Sequence, residues 1–302
     1  LMGAVYAVKL TRTVTREQRD ATFFVYFLYL ASGLMYVGIN GYVWFIAQNM
    51  CFTLSLMALY YAVQKKGGIA LACWACAVGC RPMVAFFHPV LLVILWRAVK
   101  KTETNVTFAK VLKTQWKWAI APALIAAVYM VLNYMRFGSP LEFGHNYLPE
   151  FTRTKTGQFN LAYLWGNLKN LFRLPQATDG SGPLRFFVYD GMAFWLLTPL
   201  FITVFAALVY HLVRAGKKDI VLSILIPVLF VVHVLFVCCH RTMGGFHFGN
   251  RYLLDALPYL FYGLLVWKPQ GHWFAKWNQP LFYLGLTINV VGTVANYNAW
   301  IG

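Results

Sequence analysis

Acidic residues are scarce. The 302-residue chain carries 9 Asp and Glu against 26 Lys and Arg, and only 12% of its residues are charged. So few charges cannot clothe a soluble domain of this size. Hydrophobic residues make up 60% of the chain, aromatic residues 18%, and mean hydropathy is +0.58. The surface of a soluble fold shrinks too slowly with length to hide that much apolar area, so hydrocarbon is the expected solvent. The net charge of +17 would suggest nucleic acid in a soluble protein. Here it reads as cytoplasmic loops and sites for anionic lipid or phosphate, with no nucleic acid as partner.

Signals for soluble-enzyme chemistry are also missing. The sequence has no Walker segment, no GxGxxG, no HExxH and no second CxxC beside Cys73 and Cys76. That leaves no signal for a nucleotide site and only a weak one for metal. Cys51, Cys73, Cys76, Cys80, Cys238 and Cys239 all sit in apolar runs and read as small buried hydrophobes. No repeat, heptad pattern or soluble domain is evident. The chain opens on "LMGAVYAVKL" without a Met, which reads as the tail of a helix in an N-terminally truncated sequence.

What the chain does have is a series of apolar runs separated by basic turns. Residues 1–8 end one helix, and "KLTRTVTREQRD" reads as a cytoplasmic loop. Spans are predicted over 21–39, 43–63, 119–135, 193–213, 220–239, 252–267 and 280–300. Lys65, Lys66 and the Lys-rich segments near 100 and 217 fall on one side, as the positive-inside rule expects. "GIALACWACAVGC" is too short to cross about 30 Å, so Arg81-Pro82 caps a shallow hairpin. "KKTETNVTFAKVLKTQWKW" reads as a basic, aromatic segment on the cytoplasmic surface. The expectation is an all-α polytopic integral membrane protein, one domain over 1–302. A long external loop spans 137–190, with an interfacial helix at "LAYLWGNLKNLFRL". A cysteine placed at Ser181 is expected to label from outside.

Positive-inside bias does not account for arginines on the opposite side. Arg81, Arg136, Arg153, Arg173, Arg185, Arg241 and Arg251 are predicted there, with Glu142, Glu150, Asp179, Asp190 and Asp255. Guanidinium contacts phosphate bidentately, and an adjoining apolar groove holds a lipid tail. In "GGFHFGNRYLLDALPYLF", Arg251 and Asp255 are four apart. On an α-helix they pair. Either they form a plain helix-end ion pair, or Asp255 orients Arg251 toward phosphate. In "NYMRFGSPLEFGHNY", Pro140 and the glycines bring Arg136, Glu142 and His145 out of the membrane together. Aromatic anchoring by Tyr134, Phe137, Phe143 and Tyr147 is the alternative. His88, His211 and His233 read as core groups.

"RPM" after a short helix, "NYMRFGSPLEFG" after an outward span and "FGNRYLLDALPYL" before a returning span occur in that order. Together they resemble the GT-C superfamily of polytopic membrane glycosyltransferases, including bacterial relatives of protein O-mannosyltransferases and the aminoarabinose transferase. The resemblance implies a GT-C-like helical bundle in a bacterial inner membrane. It implies transfer of a sugar, with inversion, from a polyprenyl-phosphate donor to an acceptor on the periplasmic face. Arg251, Arg81 and Arg136, in that order, would stabilise the leaving phosphate, with a divalent cation as a possible aid. The substrate-binding set is Arg81, Arg136, Glu142, His145, Tyr147, His247, Asn250, Arg251 and Asp255. The family's base is a carboxylate in its first outer loop. No acidic residue precedes Glu17, so that base is expected upstream of Leu1. Two other readings stay open: a transporter or flippase of a lipid-linked or anionic substrate, and a non-catalytic scaffold for envelope assembly.

Overall fold

The computed structural model describes residues 1–15, 18–101, 107–176, 186–187, 189–214 and 220–298. Arg16, Glu17, Asn105, Asp179, Ser181 and Arg185 lie outside the described residues. Among those described the chain is helical. It holds no strand, only isolated bridges such as Phe159 to His240.

The helices are α1 (Met2–Val14), α2 (Gln18–Leu30), α3 (Leu34–Ile39), α4 (Val43–Val63) and α5 (Gly67–Cys80). Then come α6 (His88–Lys100), α7 (Phe108–Thr114), α8 (Ile120–Phe137), α9 (Pro149–Thr152) and α10 (Leu164–Phe172). The remainder are α11 (Phe194–Leu197), α12 (Leu200–Arg214), α13 (Ile220–Cys238), α14 (Leu257–Trp267) and α15 (Trp273–Tyr297). Among the described residues, four segments are long and apolar enough to cross a membrane: Val43–Val63, Pro82–Lys100, Trp116–Phe137 and Ile220–Cys238. Shorter apolar helices cover Asp20–Leu30, Gly67–Cys80, Leu200–Arg214 and Leu257–Trp267. α14 is buried on nearly all sides and forms the centre of the core, with Tyr259, Phe261 and Trp267 almost fully enclosed. α8 is the opposite case. It buries no residue, and Leu124, Val128, Val131 and Met135 are exposed. Such a surface is compatible with hydrocarbon around it.

Several expected boundaries move. The span predicted over 193–213 is split into α11 and α12 at Thr198-Pro199. "KLTRTV" is not loop, because α1 runs on to Val14. Leu10 is buried, and the Thr11 and Thr13 hydroxyls donate back to the Ala7 and Lys9 carbonyls at 2.7 and 2.8 Å. The span predicted over 21–39 is broken at Ser32-Gly33. The Ser32 hydroxyl bonds the Leu28 carbonyl and accepts from the Leu34 amide, while the Gly33 amide donates to Thr198. Side-chain oxygens thus take over bonds that a continuous helix would make. The turn expected before residue 280 is helical from Trp273, with Pro280 inside α15.

α5 ends as the hairpin reading requires. Pro82 begins a 3₁₀ segment, Pro82–Phe87. Proline disfavours helical backbone in the residue before it, and Arg81 is extended at φ −145°, ψ 98°. That departure turns the Arg81 side chain away from the α5 axis and toward the chain segment before α14. At the other end of the bundle, buried Asp20 accepts from His272 Nδ1 at 2.8 Å and Lys268 Nζ at 3.3 Å. These bonds tie α2 to the α14–α15 turn.

Candidate functional site

The segments predicted to share one face do meet. The first turn of α4 from Val43, the Arg81 hairpin tip, the Glu142–Asn146 loop, Gln158-Phe159, His240 and the glycine-rich 244–252 segment line two adjoining cavity lobes that share walls. Each lobe has about 320 Å3, and Trp44, Arg81, His145, His240 and Tyr252 line both. The first lobe adds Glu142, Asn146 and Gln158 to an otherwise apolar wall. The second adds Glu150, Gly244, Gly245 and Arg251.

Asp255 is the anchor of the site, and its partner is not Arg251. Arg81 donates Nε and Nη2 to Asp255 Oδ2, both at 3.2 Å, and the Gln48 amide donates to Oδ1. Asp255 is 1% exposed. The expected Arg251–Asp255 pair fails because Arg251–Asp255 is 3₁₀, not α. At about 120° per residue, positions four apart diverge by about 120°, whereas on an α-helix they diverge by only about 40°. The 3₁₀ turn therefore sends Asp255 to Arg81 and leaves Arg251 facing the cavity.

Arg251 is held by packing more than by bonds. Nη2 donates to the Gly244 carbonyl at 2.8 Å, while Nε and Nη1 are buried and have no hydrogen-bond partner. Its guanidinium lies over Phe45 and over Tyr252, 5.2 Å from each ring centre. Arg81 stacks on Tyr252 at 4.6 Å, so one phenol ring is flanked by both cations. Gly244 is required beside them. Its φ is +115°, and a Cβ there would come within 2.8 Å of Arg251 Nε. Behind the segment, Phe248 is buried against α15, and a Cβ on Gly292 would lie 1.9 Å from its ring. This close approach seats the glycine-rich segment on the bundle.

The remaining predicted residues divide. His145 and Glu142 line the cavity. His145 packs on Trp44 at 5.4 Å, and Glu142 accepts from the Gly144 amide and the Asn146 carboxamide at 2.8 Å each. Those two bonds hold the Glu142 carboxyl below its ordinary range, the Asn146 contribution being the larger. Arg136 lies at the exposed end of α8 and lines neither lobe. Tyr147 is exposed and stacks on Phe137 at 5.6 Å, as an anchoring residue would. Asn250 is spent on structure, since its amide donates to the Met192 carbonyl. His247 is fully buried, with one ring nitrogen 3.0 Å from the Gly245 carbonyl, and lines neither lobe. His233 bonds the Tyr252 carbonyl at 2.9 Å, and His88 packs on Trp74 at 4.2 Å. α10 docks one side on α13: buried Asn167 donates to the Cys238 and His240 carbonyls, while Trp165 and Phe172 stay exposed. Among the described residues, no group of three His, Cys, Asp or Glu gathers that could hold a metal ion.

Trp44, Gln48, Gln158 and Tyr252 join the site beyond the residues chosen from sequence. Tyr252 adjoins Arg251 in the quoted motif, and Trp44 follows the predicted external turn at "NGY". Gln48 gives no sequence signal, because only the fold brings it to Asp255.

His240 and His247 carry a testable consequence. Burial pushes His240 down to about 4 and His247 to about 3. Both stay neutral in the folded chain over a range where the unfolded chain takes up protons. Stability is therefore full above about pH 6.5 and falls as pH drops toward 4, by up to about 3 kcal/mol for His240. Thermal melts in detergent between pH 8 and 4 should show that slope, and His240→Gln should flatten part of it. An unchanged slope in the variant would show that His240 does not carry it.

Comparison with family models, characterised proteins and solved structures returns no match for this chain.

Proposed function

We propose that this protein is a polytopic membrane glycosyltransferase that uses a polyprenyl-phosphate-linked sugar. The donor phosphate is held by Arg251 and Arg81, and transfer goes to an acceptor on the external face of a GT-C-like bundle. One observation carries the reading. Arg251 lines a cavity that Arg81 also lines, and its buried Nε and Nη1 have no hydrogen-bond partner. A buried donor without a partner costs about 1–3 kcal/mol. A ligand phosphate removes that cost with charge-assisted, bidentate bonds. Cleaving the sugar–phosphate bond leaves negative charge on the phosphate oxygens, where two fixed cations stabilise the departing group.

The exposed apolar helices around the cavity suit a prenyl chain reaching it from the bilayer. Sidedness follows from charge. α4 and the Pro82–Lys100 segment start at the cavity and end near Lys65, Lys66, Lys100 and Lys101, which supports a cavity opposite the lysine-rich face. The catalytic carboxylate is assigned to no residue of this chain.

The test is reconstitution in vesicles with a panel of radiolabelled polyprenyl-phosphate sugars. Transfer of label to an acceptor, with release of polyprenyl phosphate, is expected. Movement of the intact donor between leaflets without cleavage would establish a flippase instead. Neither event would leave the enzyme reading without its reaction.

A further inference from the structure

Trp44 is out of place for an anchoring aromatic. Belt tryptophans face lipid, and its neighbours Tyr42 and Val43 are 73% and 68% exposed. Trp44 instead forms a wall of both cavity lobes, packs against His145, and keeps 42% exposure inside a site that Arg81 and Tyr252 also line. The groups that share the first lobe with it are Glu142, Asn146 and Gln158. They supply carboxylate and carboxamide hydrogen-bonding groups rather than a second cation.

We infer that the junction beside Trp44 is a sugar-ring subsite, in which a pyranose or furanose lies on the indole face while its hydroxyls reach Glu142, Asn146 and Gln158. This rests on the phosphate reading above and adds to it which wall recognises the sugar. A sugar ring has an apolar C–H face and a hydroxyl edge. A flat aromatic face rimmed by polar acceptors and donors matches both, whereas a prenyl chain would leave the polar rim unsatisfied. The residues particular to each lobe agree. Arg251, with its buried unpartnered donors, lines the second lobe and not the first, whereas Glu142, Asn146 and Gln158 line the first and not the second. The phosphate and the ring it carries therefore fall on opposite sides of Arg81. Each lobe, at about 320 Å3, is at the lower end of the range for small-molecule sites.

The experiment measures affinity of the purified protein in detergent for farnesyl phosphate and for farnesyl phosphate bearing glucose, mannose, galactose or 4-aminoarabinose. Wild type should bind at least one sugar-bearing probe about tenfold tighter than farnesyl phosphate. Trp44→Ala should lower affinity for the sugar-bearing probe about tenfold more than for farnesyl phosphate, which abolishes the preference, while Trp44→Phe keeps most of it. Equal affinity of wild type for all probes overturns the sugar subsite and leaves the phosphate site standing. So does a preference that survives in Trp44→Ala, or an equal loss for every probe in that variant. Failure of wild type to bind farnesyl phosphate at all overturns the phosphate reading, and the subsite with it.

Discussion

Replacing Asp255 with alanine should cost about 3–5 kcal/mol of stability, because breaking a buried pair leaves one charge without its partner. The Arg81 side chain is only 12% exposed and places Nε and Nη2 on the same carboxylate oxygen. The Gln48 amide, fully buried, loses its acceptor in the same step. Asp255 joins α4, the α5 hairpin tip and the entry to α14, so its loss is felt in three elements. A lowered melting midpoint in detergent is the first readout. The second is a double-mutant cycle. Arg81→Met alone and Asp255→Ala alone should each be severe, and the double variant should recover a coupling energy of at least about 1 kcal/mol. Strict additivity would show that the ion pair is not what holds these elements together.

Arg251 should behave in the opposite way. Arg251→Ala removes a guanidinium whose Nε and Nη1 are already unsatisfied. The melting midpoint should therefore stay near wild type or rise, since two uncompensated buried donors disappear. Turnover of a polyprenyl-phosphate donor should fall by about 100-fold or more, the usual scale for losing a fixed donor at a developing charge. Arg251→Lys should be intermediate, keeping charge while losing the planar fork. A variant that is badly destabilised, or one that turns over normally, would make Arg251 a structural residue. The contrast between Asp255 and Arg251, four residues apart, separates the part of the motif that builds the site from the part that uses it.

Much of the helical layout was readable from composition, and α4, α5, α8 and α13 fall close to the predicted spans. Those segments are continuously apolar, and their ends are set by Gly, Pro or a charge. α1, α2 and the start of α15 were misjudged because local polarity was taken as loop. In each case packing or hydroxyl-to-carbonyl bonds decided the outcome. The meeting of Arg81, Glu142, His145 and Arg251 around one cavity followed from counting turns from one side to the other. The pairing of Asp255 did not, because a 3₁₀ turn and an α-helix are indistinguishable over five residues of sequence. Arg136, Tyr147 and Asn250 were drawn in by nearness along the chain to better-placed residues, and spatial nearness did not follow. Gln48 has no polar neighbour in sequence to mark it inside α4.

The central claim is that Arg251 and Arg81 recognise a phosphorylated lipid, and competition between lipids tests it most directly. Delipidated protein is mixed with equimolar farnesyl phosphate and farnesol, and the retained species are counted by native mass spectrometry. Wild type should retain farnesyl phosphate in large excess over farnesol, and Arg251→Ala should retain the two nearly equally. Equal retention by wild type would contradict the account, since the arginines would then be reading nothing on the phosphate.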